Sequence, residues 1–301
     1  MEVPVTICTT SDGINLYYED IGDGLPIIFI HEFAGDYRSW APQVQYFSRN
    51  YRCITFNARG YPPSDIPRTP TMYSQNLARD DVKCIMEATK IEEAHLVGLS
   101  MGAFSALHFS LKYPNNVLSQ VVAGCGYGAD IESQNQFKKE AISVADQIDA
   151  ETMESFGKAY ALGPTRVQFQ NKDPKGWKLF ESQLREHSSL GSSNTMRGVQ
   201  HKRPSLFTLR EELSEITIPT LIINGDEDDP CLKVGSYLKK IIPSSALSLL
   251  PRTGHTSNLE EPSLFNQFCE TFFHQVECGR WSLRDTRSLD RGIISSQSYN
   301  E

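Results

Sequence analysis

The sequence lacks several things, and each absence narrows the reading. No apolar run is long enough to cross a bilayer, and Met1-Glu2-Val3-Pro4 has neither a basic start nor an apolar stretch behind it. Positive charge is in deficit: 29 Lys and Arg stand against 37 Asp and Glu, a net charge of −8. With no basic run and no aromatic–basic stripe, that balance argues against nucleic acid and against an anionic membrane as partners. Cysteine is sparse. The seven are widely spaced, odd in number and without a Cys-x-x-Cys pair, so they read as reduced core residues of a cytoplasmic protein. His95, His108, His187, His201 and His274 are expected on the surface or on helix faces. No pair of them has metal-ligand spacing with an acidic or cysteine partner, so no metal is expected. Repeats and low-complexity segments are missing too.

What is there is apolar material for a large core: 39% hydrophobic residues over 301, enough for one domain with an insertion. The most informative stretch is Gly98-Leu99-Ser100-Met101-Gly102. Ahead of it Ala94-His95-Leu96-Val97 reads as a buried strand, and behind it Ala103–Leu111 reads as a helix closed by Tyr113-Pro114. A serine at such a turn projects its hydroxyl out of the backbone, and the flanking glycines remove side chains that would clash. The first N–H groups of the helix point at the same spot, where negative charge is welcome. Gly-x-Ser-x-Gly alone arises by chance in about one chain in ten of this length. The strand–turn–helix setting lifts it above that.

A serine hydroxyl needs a base, and the base an orienting acid. Two later segments supply them. The apolar run Pro219–Gly225 leads into Asp226-Glu227-Asp228-Asp229-Pro230. Leu247–Pro251 leads into Arg252-Thr253-Gly254-His255, with Glu260-Glu261-Pro262 opening a helix beyond.

Ser, then Asp, then His at successive strand ends is the order of the α/β-hydrolase superfamily, which this chain resembles from about Gly13 to Val276. His31-Glu32-Phe33-Ala34-Gly35 is similar to the family's oxyanion segment after a core strand, Ile27–Ile30, with Glu32 where Gly is usual. Asn57-Ala58-Arg59-Gly60-Tyr61-Pro62-Pro63-Ser64 resembles the family's Asp-x-Arg-Gly-x-Gly-x-Ser turn, with Asn57 and Pro62 departing from it. The resemblance implies Ser100 as nucleophile and His255 as base. Asp228 fits the family's offset from the strand-terminal Gly225, with Asp229 as the fallback. It further implies an oxyanion hole from the backbone N–H groups of Phe33 and Met101, a bracing role for His31, and no cofactor. Cys125 and Tyr127 follow a core strand at the mouth of the site; they are candidates for lining the pocket or for packing. Asp36, Tyr37 and Arg38 lie near the mouth too, where solvation explains them equally well.

Strands are expected at Val3–Cys8 and Ile14–Glu19, as a hairpin, then at Ile27–Ile30, Cys53–Asn57, His95–Leu99, Ser119–Ala123, Thr220–Asn224 and Ala246–Leu250. Their alternation with helical segments predicts an α/β fold: a mostly parallel central sheet with helices on both faces. A long gap holds amphipathic helical segments, Gln134–Ile148, Glu151–Ala161, Trp177–His187 and Asn194–Gln200. The expected division is a core of 1–126 and 216–277, a helical cap at 127–215 and a polar tail at 278–301, disordered or anchored by Trp281. The aromatics of the cap, among them Phe137, Phe156, Tyr160, Phe169, Trp177 and Phe180, are expected to bury a small helical core.

These features predict a serine hydrolase of a small or medium carboxylic ester or lactone, acting as a monomer or homodimer. Two alternatives stand beside it. One is a carbon–carbon bond hydrolase of ring-cleavage products using the same triad; the other is a slow-turnover ligand sensor of the same fold. Relatives that hydrolyse halides or epoxides use Asp as nucleophile, and Ser100 argues against them.

Overall fold

The computed structural model describes residues 6–289, so residues 1–5, with the start of the expected strand Val3–Cys8, and residues 290–301 of the expected tail lie outside the described residues. Eight strands form one sheet in the order β1-β2-β4-β3-β5-β6-β7-β8. They are β1 (Thr6–Thr9), β2 (Asn15–Ile21), β3 (Leu25–Ile30), β4 (Tyr51–Phe56), β5 (Ala94–Leu99), β6 (Val117–Ala123), β7 (Thr220–Gly225) and β8 (Ser245–Leu250). β1 and β2 pair antiparallel, and β2 meets β4 antiparallel; every other pairing is parallel.

Parallel strands need crossovers, which cover both sheet faces and make the central strands apolar on both sides. β3 shows this: Ile28 and Ile30 enter one buried cluster, Ile27 and Phe29 the other. Among the helices, α1 (Ala41–Phe47) and α11 (Pro262–Glu277) cover the face of Phe29, bringing Phe47, Phe265, Phe272 and Phe273. α2 (Gln75–Ala88), α3 (Met101–Lys112) and α9 (Asp229–Ile241) cover the other with Val82, Ile85, Phe104, Leu107, Val234 and Leu238. Truncating one such phenylalanine to Ala costs about 3–5 kcal/mol.

His95 corrects the expectation that it sits on a surface. It lies in β5, covered on both faces and fully buried, where Ser119 Oγ of β6 meets its Nδ1 at 2.7 Å. Glu277 Oε1 stands 3.3 Å from its Nε2. A polar residue in a central strand has no route to water, so neighbours must satisfy it.

Between β6 and β7 the chain leaves the sheet as α4 (Gln134–Ala161), α5 (Val167–Lys172), α6 (Pro174–Arg185), α7 (Ser189–Thr195), a π-helical turn Met196–Gln200 and α8 (Arg210–Ser214). α4 breaks at Thr152, whose φ is 75°; Ser189 Oγ takes the freed Met153 N–H at 3.0 Å. Ala141, Ala145, Ile148, Phe156, Phe169, Phe180 and Leu184 of this segment pack with Phe33, Tyr61, Tyr73 and Met101 of the sheet domain. The short helix α10 (Ser257–Glu260) precedes α11. Trp281 then fastens the following residues, donating to Ser244 O at 2.7 Å and packing edge-on against Phe272. No helix among the described residues is long and apolar enough to cross a membrane.

β3 has β4 on one side and β5 on the other, so the chain reverses its direction of travel between β3 and β5. The loops leaving two such strands diverge to opposite faces and open a crevice at their C-terminal ends. That crevice lies between Ile30 and Leu99, where the two segments singled out in the sequence begin.

Candidate active site

Ser100 sits between β5 and α3 with φ 53° and ψ −112°, a conformation costing a side-chain-bearing residue about 1–3 kcal/mol. Its surroundings hold it there. A Cβ on Gly102 would come within 2.0 Å of Ile30 O, and one on Gly98 within 2.3 Å of Gly102 O. α3 is therefore seated directly on β3 and β5, and the turn has no room to relax. The Ser100 N–H donates to Ala123 O at 2.8 Å, and the residue is half-buried among fully buried neighbours.

His255 follows β8 and is buried, with its Nδ1 2.7 Å from Asp228 Oδ2. Asp228 is fully buried at the start of α9, whereas Asp226 and Asp229 are exposed. Burial opposes ionisation of Asp228, but the His255 imidazole outweighs it and holds the carboxyl below its ordinary range. Cys231, one turn into α9, places Sγ 3.9 Å from the same Nδ1. Burial and the facing Asp228 push its thiol far up, so it stays protonated. Asp228, Cys231 and His255 thus bring three potential metal donors within 4.8 Å of one another. The sequence expectation of no metal did not weigh this set, because its members are scattered along the chain. Nδ1 committed to Asp228 and a protonated sulfur fit an oriented imidazole better than a cation.

His31 is neutral and fully used. The Ala58 N–H donates to its Nε2 at 3.0 Å, so Nδ1 carries the proton given to Glu32 O at 2.7 Å. Burial takes its pKa down to about 4. It ties the loop after β4 to the loop after β3. Tyr61 Oη donates to Phe33 O at 2.9 Å and fixes the next residue of that loop. Phe33 lines a cavity beside Ser100, and Met101 opens α3 directly behind it.

That cavity has a volume of about 330 Å³ and contains Ser100 and His255 in its wall. Its other walls are mostly apolar: Phe33, Tyr127, Phe137, Val144, Tyr160 and Met196, with Glu140 and Gln200 as polar points. Tyr127 lines it and sets its ring edge-on to the imidazole, centroids 5.3 Å apart. Cys125 is absent from the wall and packs in the sheet core with Phe104 and Val122. Of the inserted aromatics, Phe137 and Tyr160 face the cavity, while Phe156, Phe169 and Phe180 are core.

Two further placements differ from expectation. Asp36, for which solvation and a place near the mouth are equal expectations, is buried; it caps the turn Tyr37–Trp40 through the Arg38 N–H and pairs with the Arg38 guanidinium. His187, read as a surface or helix-face residue, is buried 3.4 Å from Asp36. Sequence reasoning missed Arg166 altogether. The signal was Glu32: a carboxylate in a buried loop demands a cation, and Arg166 Nη2 meets Glu32 Oε2 at 2.6 Å.

A family profile described as alpha/beta hydrolase fold matches residues 26–262. In sequence, 3-oxoadipate enol-lactonase 1 of Acinetobacter baylyi is 29% identical over 83% of this chain and 89% of its own length. Non-heme chloroperoxidase CPO-A1 of Kitasatospora aureofaciens is 26% identical over 83% of this chain and 91% of its own. In structure, the enol-lactonase from Burkholderia xenovorans LB400 superposes with a TM-score of 0.79 at 20% identity, over 89% of this chain and 100% of that one. That last likeness is one of fold.

Proposed function

The chain belongs to the alpha/beta hydrolase fold family, and on that premise we propose that it is a serine hydrolase of small or medium carboxylic esters or lactones. One observation carries the proposal: Ser100 and His255 share the wall of a mostly apolar cavity, with Asp228 bonded to the far side of the imidazole.

In this reading His255 Nε2 takes the proton of Ser100 as its oxygen attacks the substrate carbonyl. Asp228 sets the tautomer through Nδ1 and stabilises the imidazolium that forms. The Phe33 and Met101 N–H groups receive the oxyanion; each such donor contributes about 3 kcal/mol in comparable sites. His255 returns the proton to the leaving group, then activates the water that releases the acyl group. No step calls for a cofactor.

The inserted helices act as a cap that narrows access to Ser100, which favours a small organic substrate over a folded polypeptide. An enol-lactonase among the sequence relatives favours a lactone or a short ester. Residence in the cytoplasm is consistent with seven cysteines that are all free thiols, Cys8 and Cys84 included although their sulfurs lie 3.2 Å apart. A panel of p-nitrophenyl esters of increasing acyl length, several lactones and casein tests the proposal. Turnover of short esters or lactones with casein untouched is the expected result. Product pairs from a broken carbon–carbon bond in a diketone, with esters and lactones inert, would move the protein to that reaction class.

A further inference from the structure

We propose that Glu32 and Arg166 form a positioning pair that sets the charge felt by His255 Nε2 and fixes the loops on either side of it. The proposal rests on the reading of His255 as the base. Glu32 belongs to the loop after β3 and Arg166 to the turn Pro164–Arg166 of the insertion, yet both side chains are at least 97% buried and bonded at 2.6 Å. Glu32 Oε2 also stands 3.9 Å from His255 Nε2. Asp228 occupies Nδ1, so the imidazole lies between two carboxylates, and Nε2, the nitrogen that must exchange a proton with Ser100, faces Glu32.

Several titratable groups around the ring carry no charge. Burial holds His31 neutral, and it raises Tyr61 and Tyr160, which face Glu32, as well as Tyr127 and Cys231, which face His255. Asp36 lies behind His31 and is neutralised by Arg38. Asp228 and Glu32 are the charges bonded to or facing the ring itself, with Arg166 behind Glu32. Beyond them stand Glu260, which accepts the Gly254 N–H at 2.8 Å and also feels Arg166, Lys172 on the Thr253 hydroxyl, and Arg203 against Tyr127 O and Cys231; these are the same in every variant tested below. A carboxylate within about 4–6 Å favours an imidazolium, and a cation disfavours it.

The backbone reinforces the arrangement. Thr165, the neighbour of Arg166, accepts the His255 N–H at 3.1 Å. A Cβ at position 254 would come within 2.3 Å of Thr165 O, so glycine is required for that contact. Glu32 in turn precedes Phe33. One buried pair thus joins the oxyanion loop, the insertion and the histidine loop. Apolar side chains of similar volume would hold these segments together at least as well. What the ion pair adds is a negative charge at a fixed place beside Nε2. Arg166 Nε and Nη1 have no partner among the described residues, so Glu32 is the anchor of a guanidinium that is otherwise packed near the rings of Tyr160 and Phe180.

The test is the pH dependence of kcat/KM on a p-nitrophenyl ester for the full-length wild type, Glu32→Gln, Arg166→Met, Arg166→Lys and Glu32→Gln/Arg166→Met. The rising limb, which reports neutral His255, should move to lower pH in Glu32→Gln by about one unit and to higher pH in Arg166→Met. Arg166→Lys should lie between wild type and Arg166→Met. Each single variant should lose about tenfold in kcat with KM nearly unchanged. The double variant leaves no lone buried charge; it should fold and still lose kcat. Limbs that stay put, or that shift together in both single variants, would overturn the proposal, as would a double variant with wild-type kcat. The His255 imidazole titration followed by NMR in Ser100→Ala needs no turnover and should show the same opposite shifts. A hydrolytic reading that failed would therefore leave this inference testable on its own.

Discussion

Asp228 Oδ2 lies 2.7 Å from His255 Nδ1, while Asp226 and Asp229, flanking it by one or two positions, are exposed. Three acids crowd one strand end, and the start of α9 turns only one of them inward. Asp228→Asn should therefore lower kcat by about 10³–10⁴-fold with the fold intact, because an amide favours the wrong imidazole tautomer. Asp226→Asn and Asp229→Asn should stay within about threefold of wild type. Ester turnover with circular dichroism as the folding control distinguishes them; a severe Asp229→Asn variant beside a mild Asp228→Asn would reverse the assignment.

The elbow makes a prediction about stability. A methyl on Gly102 would overlap Ile30 O, and neither backbone can retreat inside the sheet–helix contact. Gly102→Ala should lower the melting temperature by about 5 °C or more, or abolish soluble expression. Gly163→Ala, where a Cβ would meet Tyr160 O at 3.0 Å at the half-buried rim of the cavity, should be clearly milder. Equal melting temperatures for wild type and Gly102→Ala would mean that the close approach of α3 is not a constraint.

Much of this was legible in the sequence, and the reason differs by element. β3, β5 and β7 announce themselves as apolar runs because parallel strands are covered on both faces. Ser100 is legible because its glycines sit at the positions where α3 touches β3. Asp228 is legible through its offset from Gly225. The Glu32–Arg166 pair was not, since 134 residues separate the two and only the packing of the insertion brings them together. Cys231 beside His255 was hidden for the same reason. His95 misled because an isolated polar residue in a strand reads as surface unless its neighbour, here Ser119, is known.

Two buried histidines, His31 and His95, and the partly buried His108 give the fold an acid limit. Burial lowers His31, His95 and His108 to about 4 in the folded chain, against about 6.5 when unfolded. Between those values the unfolded state binds more protons, so stability falls as pH drops from about 6.5 towards 4 and is fully present above 6.5. His31 and His95, the fully buried pair, each account for roughly 3 kcal/mol of that loss, and His108 for less. Melting temperatures across this range should decline, and His95→Gln should flatten the decline. An unchanged slope in His95→Gln would contradict the assignment of His95 as a neutral, buried partner of Ser119.

The cluster of Asp228, Cys231 and His255 predicts indifference to chelators. With Nδ1 bonded to Asp228 and Cys231 protonated, EDTA should leave ester turnover unchanged, and Cys231→Ser should keep activity within about tenfold. Activity lost to EDTA and restored by zinc would make these three residues a metal site.

The central claim is that Ser100 is the nucleophile, and covalent labelling tests it most directly. The protein treated with a fluorophosphonate, digested and mapped by mass spectrometry, should carry one adduct, on the peptide containing Ser100, and Ser100→Ala should carry none while losing hydrolysis. An adduct on another serine in the Ser100→Ala protein, with turnover retained, would contradict the account.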